Sequence, residues 1–307
     1  MKIICFHPGA IGDIVNTLPA LDALRRQMPQ ARLTCLGQLE AMQLLAETGI
    51  IDTPLSLEYP GLHTLFHPEL EPPESLVAFL QSFDLAVSWM RGAMNVFPER
   101  LRKLGLTTVL HPGPFPPPAG SGPAVRYYFE PLRQLGLKLE TEHPRLPLSP
   151  EQRHTWLSAH PDLLDSPYLV LHPGSGSPRK NWPAERFAGL AKTYAPRIEK
   201  AVVVPKGPAD EEAVANLVKA AEGFPLAVKE GLSLRELAAI LAGAAAVVGN
   251  DSGVSHLAGA VGAPTVAIFR ATDPAIWGVN QPHARNLGPG LVNLEDVQEA
   301  ISGLILI

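Results

Sequence analysis

Two glycine-rich segments carry much of the chemistry available to this 307-residue chain. The first, His7-Pro8-Gly9-Ala10-Ile11-Gly12-Asp13, ends on an acid where a helix is expected to begin. Asp13 is open to two readings, a helix cap that accepts a backbone N–H bond, or a general base toward a hydroxyl. Gly9 and Gly12 would let a ligand approach the backbone closely. Their spacing departs from the Gly-x-Gly-x-x-Gly of dinucleotide binding, and a carboxylate here would repel an anion while accepting a proton from a neutral hydroxyl.

The second segment, His172-Pro173-Gly174-Ser175-Gly176-Ser177-Pro178-Arg179-Lys180-Asn181-Trp182-Pro183, has the opposite charge. Gly174, Ser175 and Ser177 offer backbone and hydroxyl donors, and Arg179 and Lys180 add cations suited to a diphosphate at a helix N-terminus. The competing reading is an ordinary solvated loop. A third segment, Gly249 to His256, places Ser252 and Gly253 where their N–H groups could meet phosphate. Asp251 beside them could cap the helix, hold Lys180 or bind a sugar hydroxyl, and His256 is either a structural histidine or a ligand contact. Glu211, in Lys206-Gly207-Pro208-Ala209-Asp210-Glu211-Glu212, fits ribose recognition or simple placement of acids against a helix dipole. The chain has neither a Gly-x-Ser-x-Gly nucleophile elbow nor a Gly-x-x-x-x-Gly-Lys-Ser/Thr loop, so hydrolase and kinase readings lose their usual anchors. No metal site is expected from the scattered histidines and the two separated cysteines.

The elements that would position these residues alternate between strand and helix. Lys2 to Phe6, Arg32 to Leu36 and Leu85 to Trp89 read as buried strands, and Ile14 to Gln27, Glu40 to Glu47 and Glu74 to Phe83 as helices. Six prolines and three glycines from Pro112 to Pro123 predict a loop, followed by a helix over Tyr127 to Leu135 and another over Glu151 to Ala159. The alternation restarts with strands at Tyr168 to His172, Ala201 to Pro205, Ala246 to Gly249 and Thr265 to Phe269. Helices are predicted at Pro183 to Tyr194, Asp210 to Ala221, Leu234 to Ala242 and Val254 to Val261. The fold class expected is α/β, with two Rossmann-like doubly wound domains facing a cleft. Residues 1–150 would form the first and 151–291 the second, with a final helix at Leu294 to Ile301, within 292–307, packing back on the first. Both glycine-rich loops then follow strand carboxyl ends, where open α/β sheets bind ligands.

Bulk composition agrees with two packed domains: 46% of residues are hydrophobic and 18% charged. A net charge of −5 gives no drive toward nucleic acid or an anionic surface. Cys5 and Cys35 lie in apolar runs and read as buried reduced thiols. The N-terminal apolar stretch is too short for a signal peptide, and no run reaches a membrane span of about 20 residues, so the expected location is cytoplasmic.

In this order the motifs resemble those of the bacterial ADP-heptose:lipopolysaccharide heptosyltransferases. They are Pro8-Gly9-Ala10-Ile11-Gly12-Asp13 with Thr17-Leu18-Pro19-Ala20-Leu21, His172-Pro173-Gly174-Ser175 with Lys180-Asn181-Trp182-Pro183, and Asn250-Asp251-Ser252-Gly253 with His256-Leu257-Ala258. The resemblance implies the GT-B glycosyltransferase fold and an inverting, metal-independent transfer with no cofactor beyond an ADP-sugar co-substrate. Asp13 would take the acceptor proton, Lys180 would stabilise the leaving diphosphate, Ser252 and Gly253 would contact phosphate, and Glu211 the nucleoside. Gly12 and Arg91 are the acceptor-contact candidates. The implied partners are a nucleotide sugar and a glycan or lipid-linked glycan, with peripheral contact at the inner membrane and no nucleic acid. One departure is His7, where the family often carries an arginine. The alternatives are a nucleotide-sugar epimerase of like architecture and a noncatalytic sugar-nucleotide-binding protein.

Overall fold

A computed structural model describes residues 1–90, 96–112, 120, 122–164, 168–198 and 202–304, excluding the side chains of 195–198. The chain divides into two compact units, Met1–Glu142 and His143–Ile307.

In the first unit the elements run β1 (Lys2–Phe6), α1 (Ile11–Gln27), β2 (Arg32–Gly37), α2 (Leu39–Glu47), β3 (Thr53–Ser56), α3 (Glu74–Gln81), β4 (Leu85–Ser88), α4 (Val96–Lys103), β5 (Val109–Leu110) and α5 (Ala124–Phe129). Five parallel strands stand in the order β3-β2-β1-β4-β5. Ile3, Ile4, Cys5 and Phe6 of the central strand are all buried, as a parallel strand covered on both faces requires. Alternation sorts them: Ile4 and Phe6 join Leu65, Leu76, Leu80, Phe97 and Leu101 in one core. Cys5 and Cys35 are register partners on β1 and β2, both free and buried. Hydrogen bonding with Cys5, together with burial, pushes the Cys35 thiol well above its ordinary range.

The second unit comprises α6 (Pro150–Trp156), β6 (Leu169–His172), α7 (Ala184–Ile198), β7 (Val202–Lys206), α8 (Glu211–Ala220), β8 (Leu226–Glu230), α9 (Leu234–Ala242), β9 (Ala246–Asn250), α10 (Gly253–Ala260), β10 (Thr265–Ile268), α11 (Pro274–Trp277), β11 (Ala284–Leu287) and α12 (Leu294–Ser302). Its six strands are again all parallel, in the order β11-β10-β9-β6-β7-β8. One face of this sheet packs Leu169, Leu171, Val202 and Val248 against Phe187, Leu190 and Leu217.

Two boundaries differ from expectation. The second unit begins at His143 rather than at 151, because backbone and side-chain bonds tie 143–146 to it. The Leu146 N–H donates to the Ala260 carbonyl, and His143 Nδ1 lies 2.8 Å from the Asn280 carbonyl. The last helix belongs to the second unit's own core: Val297 and Ile301 are fully buried there, and the Tyr194 hydroxyl donates to the Gln298 carbonyl. Burying two such side chains contributes about 1.5–3 kcal/mol each, which fixes α12 on this sheet. The Pro/Gly loop expected over 112–123 lies mostly outside the described residues.

Candidate active site

In each sheet the chain leaves the central pair of strands in opposite directions, β1 beside β4 and β6 beside β9. Loops diverge at such a switch point and leave room beyond the strand carboxyl ends. The segments after β1, β6 and β9 sit at these two points.

In the first unit, helix α1 starts at Ile11, so Asp13 lies inside its first turn and Gly12 next to it. The N-cap is Ala10, with no side-chain capping bond. The cap reading of Asp13 therefore fails, and its carboxylate instead accepts a hydrogen bond at Oδ1 from the Tyr128 hydroxyl, 2.8 Å away. Tyr128 comes from α5 and is buried. His7, buried after β1, completes the arrangement: its Nδ1 accepts from the Gly9 N–H (3.1 Å) and its Nε2 lies 2.8 Å from Thr17 Oγ1. The Thr17 hydroxyl donates to the Asp13 carbonyl at 2.9 Å, so the imidazole carries its proton on Nε2. A Cβ at Gly9 would come within 2.5 Å of Asp13 Cβ and 2.7 Å of His7 Cε1, so only glycine fits. His7, Pro8, Gly9, Asp13, Trp89, Tyr127 and Tyr128 line a small depression. One carboxylate among aromatic rings can hold a neutral polyol, accepting a hydroxyl proton while rings cover apolar sugar faces. Arg91 lies outside the described residues. Arg100 and Arg102 are spent on backbone carbonyls, of Pro68 and Leu70 and of Val109 respectively.

In the second unit Asn250, fully buried at the end of β9, ties the phosphate-loop candidate together. Its Nδ2 donates to the Pro173 carbonyl at 2.7 Å, and its Oδ1 accepts from the Trp182 N–H at 2.8 Å. Ser175 braces the interior of the loop, its hydroxyl lying 2.6 Å from Asn181 Oδ1 and 2.7 Å from the Ser177 carbonyl. Lys180 Nζ pairs with Asp251 Oδ2 at 2.7 Å, and the Thr272 hydroxyl donates to the same oxygen. Of the three roles open to Asp251, the structure shows it holding Lys180, while Ser252 rather than Asp251 caps α10. Gly253 is the first residue of α10, and the N–H groups of such a first turn have no partner within the helix. Arg179 is exposed, and Arg270, after β10, donates to the Asn181 carbonyl.

At the third strand end, Glu211 lies 2.7 Å from Lys206, whose ammonium the Glu211 and Glu230 carboxylates hold above its ordinary range. Next to it, Asp210 Oδ2 meets His172 Nε2 at 3.2 Å and the Gly207 N–H at 2.9 Å. Burial opposes ionisation of Asp210, but these two partners outweigh it and hold the carboxyl below its usual range. A Cβ at Gly174 would overlap Asp210 Oδ1. Gly174→Ala should therefore displace either the loop or Asp210 and weaken binding of a nucleoside diphosphate by about ten-fold or more, read by calorimetry. Tyr128, His172, Asn250, Asp210 and Arg270 were absent from the residues assigned a ligand role by sequence. Asn250 and His172 stood within the quoted motifs, but their partners lie 68 and 38 residues away.

The single His-x-x-x-His spacing in the chain, His63 to His67, crosses a 3-10 turn at Leu62–Phe66, and His67 pairs with Glu69. Among the described residues no group of three or more His, Cys, Asp or Glu side chains could hold a metal ion. Among them, too, no helix is long and apolar enough to cross a membrane.

Residues 115–300 match the sequence profile of Glycosyltransferase family 9 (heptosyltransferase). Lipopolysaccharide heptosyltransferase 1 of Salmonella typhimurium is 34% identical over 139 residues, 43% of this chain and 42% of that protein. The chain thus aligns with under half the length of such curated relatives. Solved structures agree over the full length in fold: E. coli ADP-heptose lps heptosyltransferase II has a TM-score of 0.78 at 20% identity, covering 100% of this chain and 99% of that one. A glycosyl transferase family 9 structure from Veillonella parvula has a TM-score of 0.75 at 22% identity, covering 99% and 97%. The α/β architecture with two parallel sheets is that of the GT-B heptosyltransferases. On the match over more than half its length, the chain belongs to glycosyltransferase family 9, the heptosyltransferases.

Proposed function

We propose that the protein is an inverting glycosyltransferase that moves a heptose from an ADP-sugar to a hydroxyl of a lipopolysaccharide core or related glycan. The observation that carries this reading is the pairing of a cation, Lys180, with Asp251 at the α10 N-terminus in a chain of family 9. In the second unit the N–H groups of Ser252 and Gly253, with Gly174, Ser175 and Ser177, would receive the diphosphate, and Glu211 the nucleoside. Lys180 would offset the negative charge that builds on the leaving diphosphate as the glycosidic bond breaks, so that no metal ion or cofactor is required. In the first unit Asp13 would accept the acceptor proton at the carboxylate oxygen that Tyr128 does not hold, with Gly12 and Arg91 as acceptor contacts. Proton transfer to a carboxylate is late and concerted with cleavage, since an alcohol is far less acidic than a carboxylic acid. An acceptor anchored in lipid would set the enzyme at the cytoplasmic face of the inner membrane.

The test is a product assay with ADP-heptose and a core acceptor lacking that heptose. The expected result is acceptor-dependent ADP release, with the heptose recovered on the acceptor in the opposite anomeric configuration. Equal activity with UDP- or GDP-sugars would overturn the ADP assignment, and a changed donor sugar without any acceptor would establish epimerisation instead.

A further inference from the structure

His172 and Asp210 form a buried titratable pair with no part in the transfer described above, and they are bonded to a third group. His172 Nε2 lies 3.2 Å from Asp210 Oδ2, and His172 Nδ1 lies 3.4 Å from Ser252 Oγ. The three residues come from the carboxyl-end junctions of three neighbouring strands, β6, β7 and β9, and His172 and Asp210 are both buried. The dyad also touches the phosphate-loop candidate directly, since Asp210 occupies the space that a Gly174 side chain would need.

We propose that Ser252, His172 and Asp210 form a positioning relay in which the imidazolium of His172 turns the Ser252 hydroxyl outward as a donor to the diphosphate. The reasoning follows from counting protons. An ionised Asp210 offers only acceptors, so Nε2 must carry a hydrogen to meet it. What remains variable is Nδ1. In the neutral ring Nδ1 is an acceptor, so the Ser252 O–H points inward at it, and the hydroxyl presents lone pairs to an incoming anion. In the protonated ring Nδ1–H donates to Ser252 Oγ, and the serine proton is free to turn to a phosphate oxygen. The same protonation places a positive charge behind the loop, compensated by Asp210. Asp210 is held below the usual carboxylate range, so it stays an ionised acceptor for Nε2–H. The other charged and titratable groups on these junctions are the Asp251–Lys180 pair, the exposed Arg179, Lys206 with Glu211 and Glu230, the exposed Glu212, and His256 one turn into α10.

The inference rests on the donor-site reading above, and its test separates the two. The probe is ADP-ribose, a diphosphate diester whose charge stays constant where the terminal phosphate of ADP would itself titrate, near pH about 6. Affinity is measured by calorimetry between about pH 5.5 and 9, the range in which histidines change charge. The full-length protein should bind most tightly at the acid end, with affinity falling about ten-fold or more as pH rises, the effect of losing a charge-assisted donor. In His172→Gln the affinity should be low and flat with pH. Ser252→Ala leaves the dyad intact and should show a smaller pH-dependent fall, which keeps the relay testable if His172→Gln fails to fold. Every other titratable group is retained in both variants, so none of them accounts for a lost pH dependence. An unchanged pH profile in both variants overturns the relay alone. Absence of ADP-ribose binding to the unaltered protein at any pH overturns the donor-site reading, and the relay with it.

Discussion

In an Asp13→Ala variant, sugar transfer is expected to fall by about 10²–10⁴-fold, the usual contribution of a positioned general base. Affinity for ADP should stay at its original value, because the proposed nucleotide-binding residues all lie between His172 and Gly253 in the other unit. The fold should survive the change. Asp13 does not cap α1, whose N-cap is Ala10, so alanine removes no capping bond. What is lost is the hydrogen bond from the Tyr128 hydroxyl, worth about 1.5–3 kcal/mol for a charged acceptor. A modest drop in Tm with intact ADP binding would thus accompany the loss of turnover. Steady-state rates with ADP-heptose and acceptor, together with calorimetry on the same preparation, decide the matter. Turnover near that of the unaltered protein would remove Asp13 from the base role and leave its carboxylate as a structural partner of Tyr128.

The second large effect is expected at Lys180. Lys180→Ala should lower kcat by about 10²–10³-fold, as deletion of one preorganised donor to a developing anion does elsewhere. It should also weaken the ground-state complex, for a reason specific to this site. Asp251 is only 8% exposed at its side chain and shares one oxygen between Lys180 and the Thr272 hydroxyl. Without the lysine, a nearly buried carboxylate faces the diphosphate with its cation gone, so repulsion adds to the lost attraction. The affinity loss for ADP should therefore exceed that of Asp251→Asn, in which the lysine loses its anchor and keeps its charge. Equal ADP affinity in Lys180→Ala and the unaltered protein would exclude Lys180 from the phosphate site.

The parts of this fold legible in the sequence were those whose cause is local. Every central strand reads as a mostly apolar run, from Ile3–Phe6 to Thr265–Ile268, because burial on both faces leaves few polar positions. The four strands that pattern did not disclose, β3, β5, β8 and β11, are all at sheet edges. There burial is partial, as in Thr53–Ser56 and Leu226–Glu230, or the strand is two residues long, so alternation carries little signal. The end of the first domain differs for a related reason: the proline-containing stretch before Pro150 has the composition of a linker, yet its Leu146 N–H bonds to the Ala260 carbonyl and its His143 side chain to the Asn280 carbonyl, far along the chain.

The opening loop shows the same division at a single residue. Sequence alone set an acid near the start of α1, behind two glycines, and supplied a cationic, glycine-rich loop after another strand. It left Asp13 equally a cap or a base, and Asp251 with three roles. The tertiary structure alone decided that α1 begins before Asp13, that Tyr128 reaches it across 115 residues, and that Asp251 pairs with Lys180. It alone brought Ser252, His172 and Asp210 into one chain of bonds. Periodicity and turn chemistry depend on neighbours a few residues apart and can be read from a string. The partner of a buried carboxylate or imidazole depends on strand order and on which junctions share a sheet edge, and those follow only from packing the whole core.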